Sequence, residues 1–242
     1  MSFQSEIIET PNFARVVADE IHASISDVLD SKDQCSIVLS GGKTPASIYR
    51  LLGRPPRVNS IDWPKVHLFW GDERWVPKDD LHSNYRLVHE TLIAHIDNKP
   101  VVHAVDTTLG TSAAGAKAYQ EAIINQCGVE PEFDIVLLGV GTDGHTASLF
   151  PGAAELHNTT DLCFAVRHEN VDVDRITLGP KAFLKAKKIF YIVSGQGKAE
   201  IVKKVFEGED DLDHLPAQIY RKAKGSVTVF LDSASGSLLK KS

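Results

Sequence analysis

Apolar residues fall at positions 13, 14, 17, 18, 21, 25, 28 and 29. That spacing predicts a helix over 13–29 with one buried face. Asn12 stands where an N-cap is expected. The period then changes. Residues 35–39 are short, apolar and rich in β-branched side chains, the mark of a buried strand. They end at Ser40-Gly41-Gly42, and a helix is expected from about Pro45. The same alternation predicts strands at 66–70, 133–138, 188–193 and 227–231, with shorter ones at 163–166 and 176–178. It predicts helices over 83–93, 112–126 and 198–206.

Strands alternating with helices imply βαβ units and a parallel sheet. Continuous apolar runs such as Ile135-Val136-Leu137-Leu138 suit a sheet covered on both faces. The fold class expected is α/β, a Rossmann-like doubly wound, mostly parallel sheet flanked by helices. No repeat, low-complexity tract or linker interrupts it, so residues 1–242 read as one domain. The acidic run 207–211 reads as a solvated loop.

Composition narrows the function classes. The chain has 242 residues, 43% apolar and 24% charged, which excludes a disordered chain. Its 26 basic and 32 acidic residues give a net charge of −6, which argues against a nucleic-acid binder. Cys35, Cys127 and Cys163 are odd in number and widely spaced, as in a reducing compartment. No secretory pattern and no apolar run of about 18 residues is present. A cytoplasmic protein with no membrane partner is expected, and Lys240-Lys241-Ser242 reads as a frayed end, not a targeting signal.

Ligands of open parallel sheets bind beyond the carboxyl ends of the strands, and polar and glycine residues concentrate there. Ser40-Gly41-Gly42-Lys43-Thr44-Pro45 is a candidate phosphate cradle. Its glycines admit close approach, Thr44 can cap, and Pro45 suits a first helical position. It is not a Walker loop, because Ile37 stands where the first glycine should. Gly139-x-Gly141-x-x-Gly144 matches a dinucleotide fingerprint, but Pro151-Gly152 stops the helix that should follow. In the same loop, Asp143 and His145 offer a proton-transfer pair. Arg74, behind Asp72 and Glu73, and Lys198, after Ser194-Gly195, are candidate anion ligands. There is no zinc-ligand spacing and no GxSxG, so neither a metal nor a Ser148 nucleophile is expected.

Taken in order, Leu39 to Pro45, Trp70-Gly71-Asp72-Glu73-Arg74-Trp75-Val76-Pro77, Ser83-Asn84-Tyr85, Leu138 to Gly152, Arg175-Ile176-Thr177-Leu178 and Ser194-Gly195-x-x-Lys198 resemble the 6-phosphogluconolactonase family, within the wider glucosamine-6-phosphate isomerase/deaminase group. The resemblance implies hydrolysis of 6-phospho-D-glucono-1,5-lactone in the oxidative pentose phosphate pathway, with no metal and no organic cofactor. It implies His145 as general base, Asp143 as its partner or a substrate contact, and Asp72 as a further catalytic residue. Arg74, Arg175 and Lys198 are implied phosphate ligands, together with the turn Ser40, Gly41, Gly42, Lys43 and Thr44.

The sister deaminases resemble this chain but place a glutamate where Phe150 stands. A sugar-phosphate isomerase or deaminase is therefore the second reading, and a non-catalytic sugar-phosphate binder the third. The expected partner is a small phosphorylated lactone, and the expected state is a monomer or weak dimer.

Overall fold

A computed structural model describes residues 4–8, 12–169 and 172–240, with side chains from residue 12 onward; Lys241 and Ser242 of the expected frayed end lie outside them. The strands are β1 (Gln4–Ile8), β2 (Cys35–Leu39), β3 (Val66–Trp70), β4 (Asp72–Arg74), β5 (Val101–His103), β6 (Ile135–Leu138), β7 (Cys163–Val166), β8 (Arg175–Leu178), β9 (Lys188–Val193) and β10 (Ser226–Asp232). The helices are α1 (Phe13–Ser31), α2 (Lys43–Leu52), α3 (Arg57–Ser60), α4 (Asn84–Thr91), α5 (Ser112–Cys127), α6 (Pro180–Leu184) and α7 (Ala199–Glu207).

Among the described residues, a seven-stranded sheet runs in the order β1-β10-β9-β6-β2-β3-β5, and every pairing in it is parallel. Its apolar strands alternate between two cores. Ile37, Leu39, Ile135 and Leu137 face α1, α2 and α4 on one side. Val38, Val136 and Leu138 face α5, α6 and α7 on the other. Both faces are covered, which is why the strands read as unbroken apolar runs. Each fully buried Ile, Leu or Val contributes about 1.5–3 kcal/mol.

The doubly wound parallel sheet expected from sequence is present. The shorter strands are placed differently. Residues 163–166 and 176–178 lie in β7 and β8 of a separate antiparallel sheet, ordered β4-β8-β7. Its third member, β4, is Asp72-Glu73-Arg74, a polar strand without a hydrophobic signal. The edge strand β5 was also unforeseen.

Two expected caps fail. The Asn12 side chain makes no cap hydrogen bond. α2 begins at Lys43, not near Pro45, with Gly42 as its N-cap, so Thr44 lies inside the first turn. A cap expected of neither position forms at Ser83, whose Oγ accepts from Arg86 N.

Candidate active site

The sheet's winding reverses between β2 and β6, and the turns beyond these strands and beyond β3 and β9 share one cleft of about 320 Å³. This is the switch-point position. Two buried tyrosines fix the turns. Tyr49 Oη accepts from Ser40 N (3.1 Å) and donates to Ser40 O (2.9 Å). Tyr119 Oη does the same at Trp70, at 2.7 and 3.0 Å. Each hydroxyl completes the backbone pairing of a strand's last turn, where the ladder has run out.

His145 lines the cleft, and its side chain is 33% exposed. Its Nδ1 lies 2.6 Å from Asp143 Oδ1, which also accepts from His145 N (3.1 Å). The hydrogen bond from His145 holds the Asp143 carboxyl down to about 2. An ionised acceptor there places the ring proton on Nδ1 and leaves the lone pair on Nε2. Gly141 makes the arrangement possible, because a Cβ there would overlap the His145 ring and Asp143. Thr146 Oγ1 ties the loop to Gly139 O (2.8 Å), and Gly144 O accepts from Ala217 N (2.8 Å). No helix follows the Gly139–Gly144 motif, so it does not form a dinucleotide site.

Arg74, Arg175 and Lys198 line the same cleft. Arg74 and Arg175 are Cα partners across β4 and β8. Burial lowers the Arg175 pKa, and Arg74 lowers it further. Asp72 Oδ2 lies 3.7 Å from Arg175 Nη1 and accepts from Ser148 Oγ at 2.7 Å. Lys198 Nζ donates to Val140 O at 2.7 Å. Burial lowers its pKa as well, with Asp143 opposing the shift. Asp232 accepts from Gly195 N (3.1 and 3.0 Å) and holds the turn before Lys198.

Ser40, Gly41 and Gly42 line the cleft as expected. Lys43 does not: it is exposed and lines a separate groove with Arg50 and Leu81. Thr44 turns its hydroxyl to Ser194 Oγ (2.8 Å), linking the turns after β2 and β9.

Glu73, read from sequence only as an acid preceding Arg74, is buried and accepts from Arg74 N, Asn84 N and Tyr85 N at 2.7–2.8 Å. Burial pushes its carboxyl up, and these amides oppose that shift. It fastens α4 to β4. Sequence reasoning gave Asn84 no role, although it stood inside a quoted motif.

A second cavity of about 390 Å³ opens at the opposite, amino ends of the strands. Burial pushes the thiols there, Cys35 and Cys127, up to about 12 and about 11, so neither is a nucleophile near neutral pH. Among the described residues, no group of three or more His, Cys, Asp or Glu is placed to hold a metal, and no helix is long and apolar enough to cross a membrane.

Comparison with known proteins finds relatives that span most of the chain. The family described as Glucosamine-6-phosphate isomerases/6-phosphogluconolactonase matches residues 9–229. A 6-phosphogluconolactonase from Synechocystis sp. is 31% identical over 221 residues, 89% of each chain. One from Haemophilus influenzae is 35% identical, covering 84% of this chain and 87% of its own. The crystal structure of a 6-phosphogluconolactonase from Shewanella baltica superposes with a TM-score of 0.85 at 32% identity, covering 96% of this chain and 98% of that one.

Proposed function

The chain belongs to the glucosamine-6-phosphate isomerase/6-phosphogluconolactonase family, and we propose that His145 is the general base with which it hydrolyses 6-phospho-D-glucono-1,5-lactone to 6-phosphogluconate. It is an enzyme, a carboxylic ester hydrolase of the oxidative pentose phosphate pathway, and relatives of that name at 31–35% identity support this. The observation that carries the mechanism is the 2.6 Å contact between His145 Nδ1 and Asp143, which leaves Nε2 basic at the cleft.

Nε2 takes a proton from water as the water oxygen bonds to C1. The carbonyl electrons move onto oxygen. As they return, the bond from C1 to the ring oxygen breaks, and the imidazolium proton passes to that oxygen. Such help is worth about 10²–10⁴-fold. Asp143 stays ionised and holds the tautomer. Arg74, Arg175 and Lys198 bind the phosphate, whose charge is about −1.5 to −2, with the amino end of α2 and its glycine turn. Asp72 has both oxygens engaged and serves to hold Arg175. We read residues 1–242 as one cytoplasmic domain, monomeric or weakly dimeric, without a nucleic-acid partner.

The deaminase reading is disfavoured by Phe150. Its ring packs 5.0 Å from that of His145 and 4.4 Å from that of His168, so an apolar group fills the place of an acid. Acid release from freshly generated lactone, measured against the spontaneous rate, tests the proposal. A rate equal to the blank overturns it, and ammonia from glucosamine 6-phosphate would favour the deaminase.

A further inference from the structure

Asn84 is 1% exposed, yet it lines the cleft. Its backbone N donates to Glu73 Oε1 at 2.7 Å. Its Nδ2 donates to Asp72 O (2.9 Å) and to Asp72 Oδ1 (3.1 Å). A flipped amide would set its oxygen against both of those acceptors, so the orientation is fixed by chemistry. Oδ1 therefore points away from Asp72. It lies over the backbone of Gly41, where a Cβ would overlap it. Among the described residues, no donor reaches Oδ1. A buried acceptor left unpaired costs about 1–3 kcal/mol, while the same residue's two donors are both satisfied.

Arg74, Arg175, Lys198 and the amino end of α2 offer the cleft donors and positive charge, while its other side-chain acceptors are already engaged, Asp72 by Ser148 and Arg175 and His145 as the proposed base. A phosphate near neutral pH is mostly dianionic and offers no dependable proton. A carbonyl or ring oxygen offers none. A hydroxyl does. We infer that Asn84 Oδ1 is a specificity-determining acceptor that reads one ring hydroxyl of the polyhydroxylated substrate, and that Gly41 is glycine in part to leave room for it. The inference rests on the sugar-lactone reading above. It assigns Asn84 to the sugar and not to the phosphate or the reacting carbon.

The test compares the parent lactone with analogues lacking the hydroxyl on C2, C3 or C4 in turn. For wild type, one analogue is expected to lose about five- to tenfold in kcat/KM, the worth of a neutral hydrogen bond of about 1 kcal/mol. In Asn84→Ala the ratio for that analogue falls to near one, while the other ratios stay as they were. A purely supporting role through Asp72 would lower every substrate alike and leave all ratios unchanged, which would overturn the inference.

If Asn84→Ala does not fold, Gly41→Ala serves, because its methyl would overlap the Asn84 amide and displace Oδ1 while position 84 remains asparagine. Loss of discrimination at the same hydroxyl is again expected, and retained discrimination overturns it. The same ratios read as Kd for the ring-opened acids do not depend on turnover. Absent hydrolysis with Asn84-dependent Kd ratios would count against the hydrolase reading alone. Hydrolysis with ratios indifferent to Asn84 would count against this inference alone.

Discussion

Arg74 and Arg175 are directly opposite each other across the antiparallel pair β4 and β8, both on the wall of the cleft. Like charges in that position repel, and burial adds to the cost. Asp72, at 3.7 Å from Arg175, offsets only part of it. A dianion between the two guanidiniums turns the repulsion into charge-assisted hydrogen bonding.

Phosphate should therefore stabilise the protein through this pair. Saturating inorganic phosphate should raise the Tm of wild type. Arg74→Ala should weaken phosphate or substrate binding roughly ten- to a hundredfold, since a hydrogen bond to a charged group is worth about 1.5–3 kcal/mol. A titration followed by thermal melting checks this. An equal response in both proteins would remove Arg74 from the phosphate site.

Asp143→Asn should keep the fold and lower kcat by about 10²–10⁴-fold, because the amide no longer fixes the tautomer that leaves Nε2 basic. The acid limb of stability carries a second sign. The Asp143 carboxyl sits at about 2 in the fold against an ordinary 3.8. Its contribution is full above about 4 and is lost as pH falls toward about 2. Denaturant titrations across that window should show wild type losing more stability than Asp143→Asn.

Tyr119→Phe should destabilise the protein by about 1–3 kcal/mol, because Trp70 N and O lose their partner in a buried place. Tyr49→Phe should do the same at Ser40. Urea midpoints at unchanged m measure both. A midpoint shift near zero would mean that the turns hold without these hydroxyls.

Gly141→Ala should be more damaging to turnover than to folding. The added methyl would overlap the His145 ring and Asp143. Overpacking of this kind costs about 1–3 kcal/mol of stability, whereas moving the base disables the reaction. Paired kcat and melting measurements separate the two. Full activity would show that the loop can give way.

The parallel sheet was legible because its strands are buried on both faces and carry their own apolar signal. The candidate site was legible as a set of polar turns at strand ends, and the topology brings those turns to one cleft. What sequence did not reveal depends on direction or on distant partners. Nothing in Gly42-Lys43-Thr44 says that the Lys43 side chain leaves the cleft. β4 is three polar residues whose only strand signal is its pairing with β8, about 100 residues on. Glu73 reads as a surface acid until α4 closes over it. Asn84 reads as an ordinary first-turn residue, and only its unpaired oxygen over Gly41 marks it.

The most direct test of the account is hydrolysis of freshly generated 6-phosphogluconolactone by wild type and His145→Ala, each against the spontaneous rate. The account predicts a fast wild type and a variant close to the blank, with phosphate binding retained in both. A variant as fast as wild type would contradict it and take His145 out of the reaction.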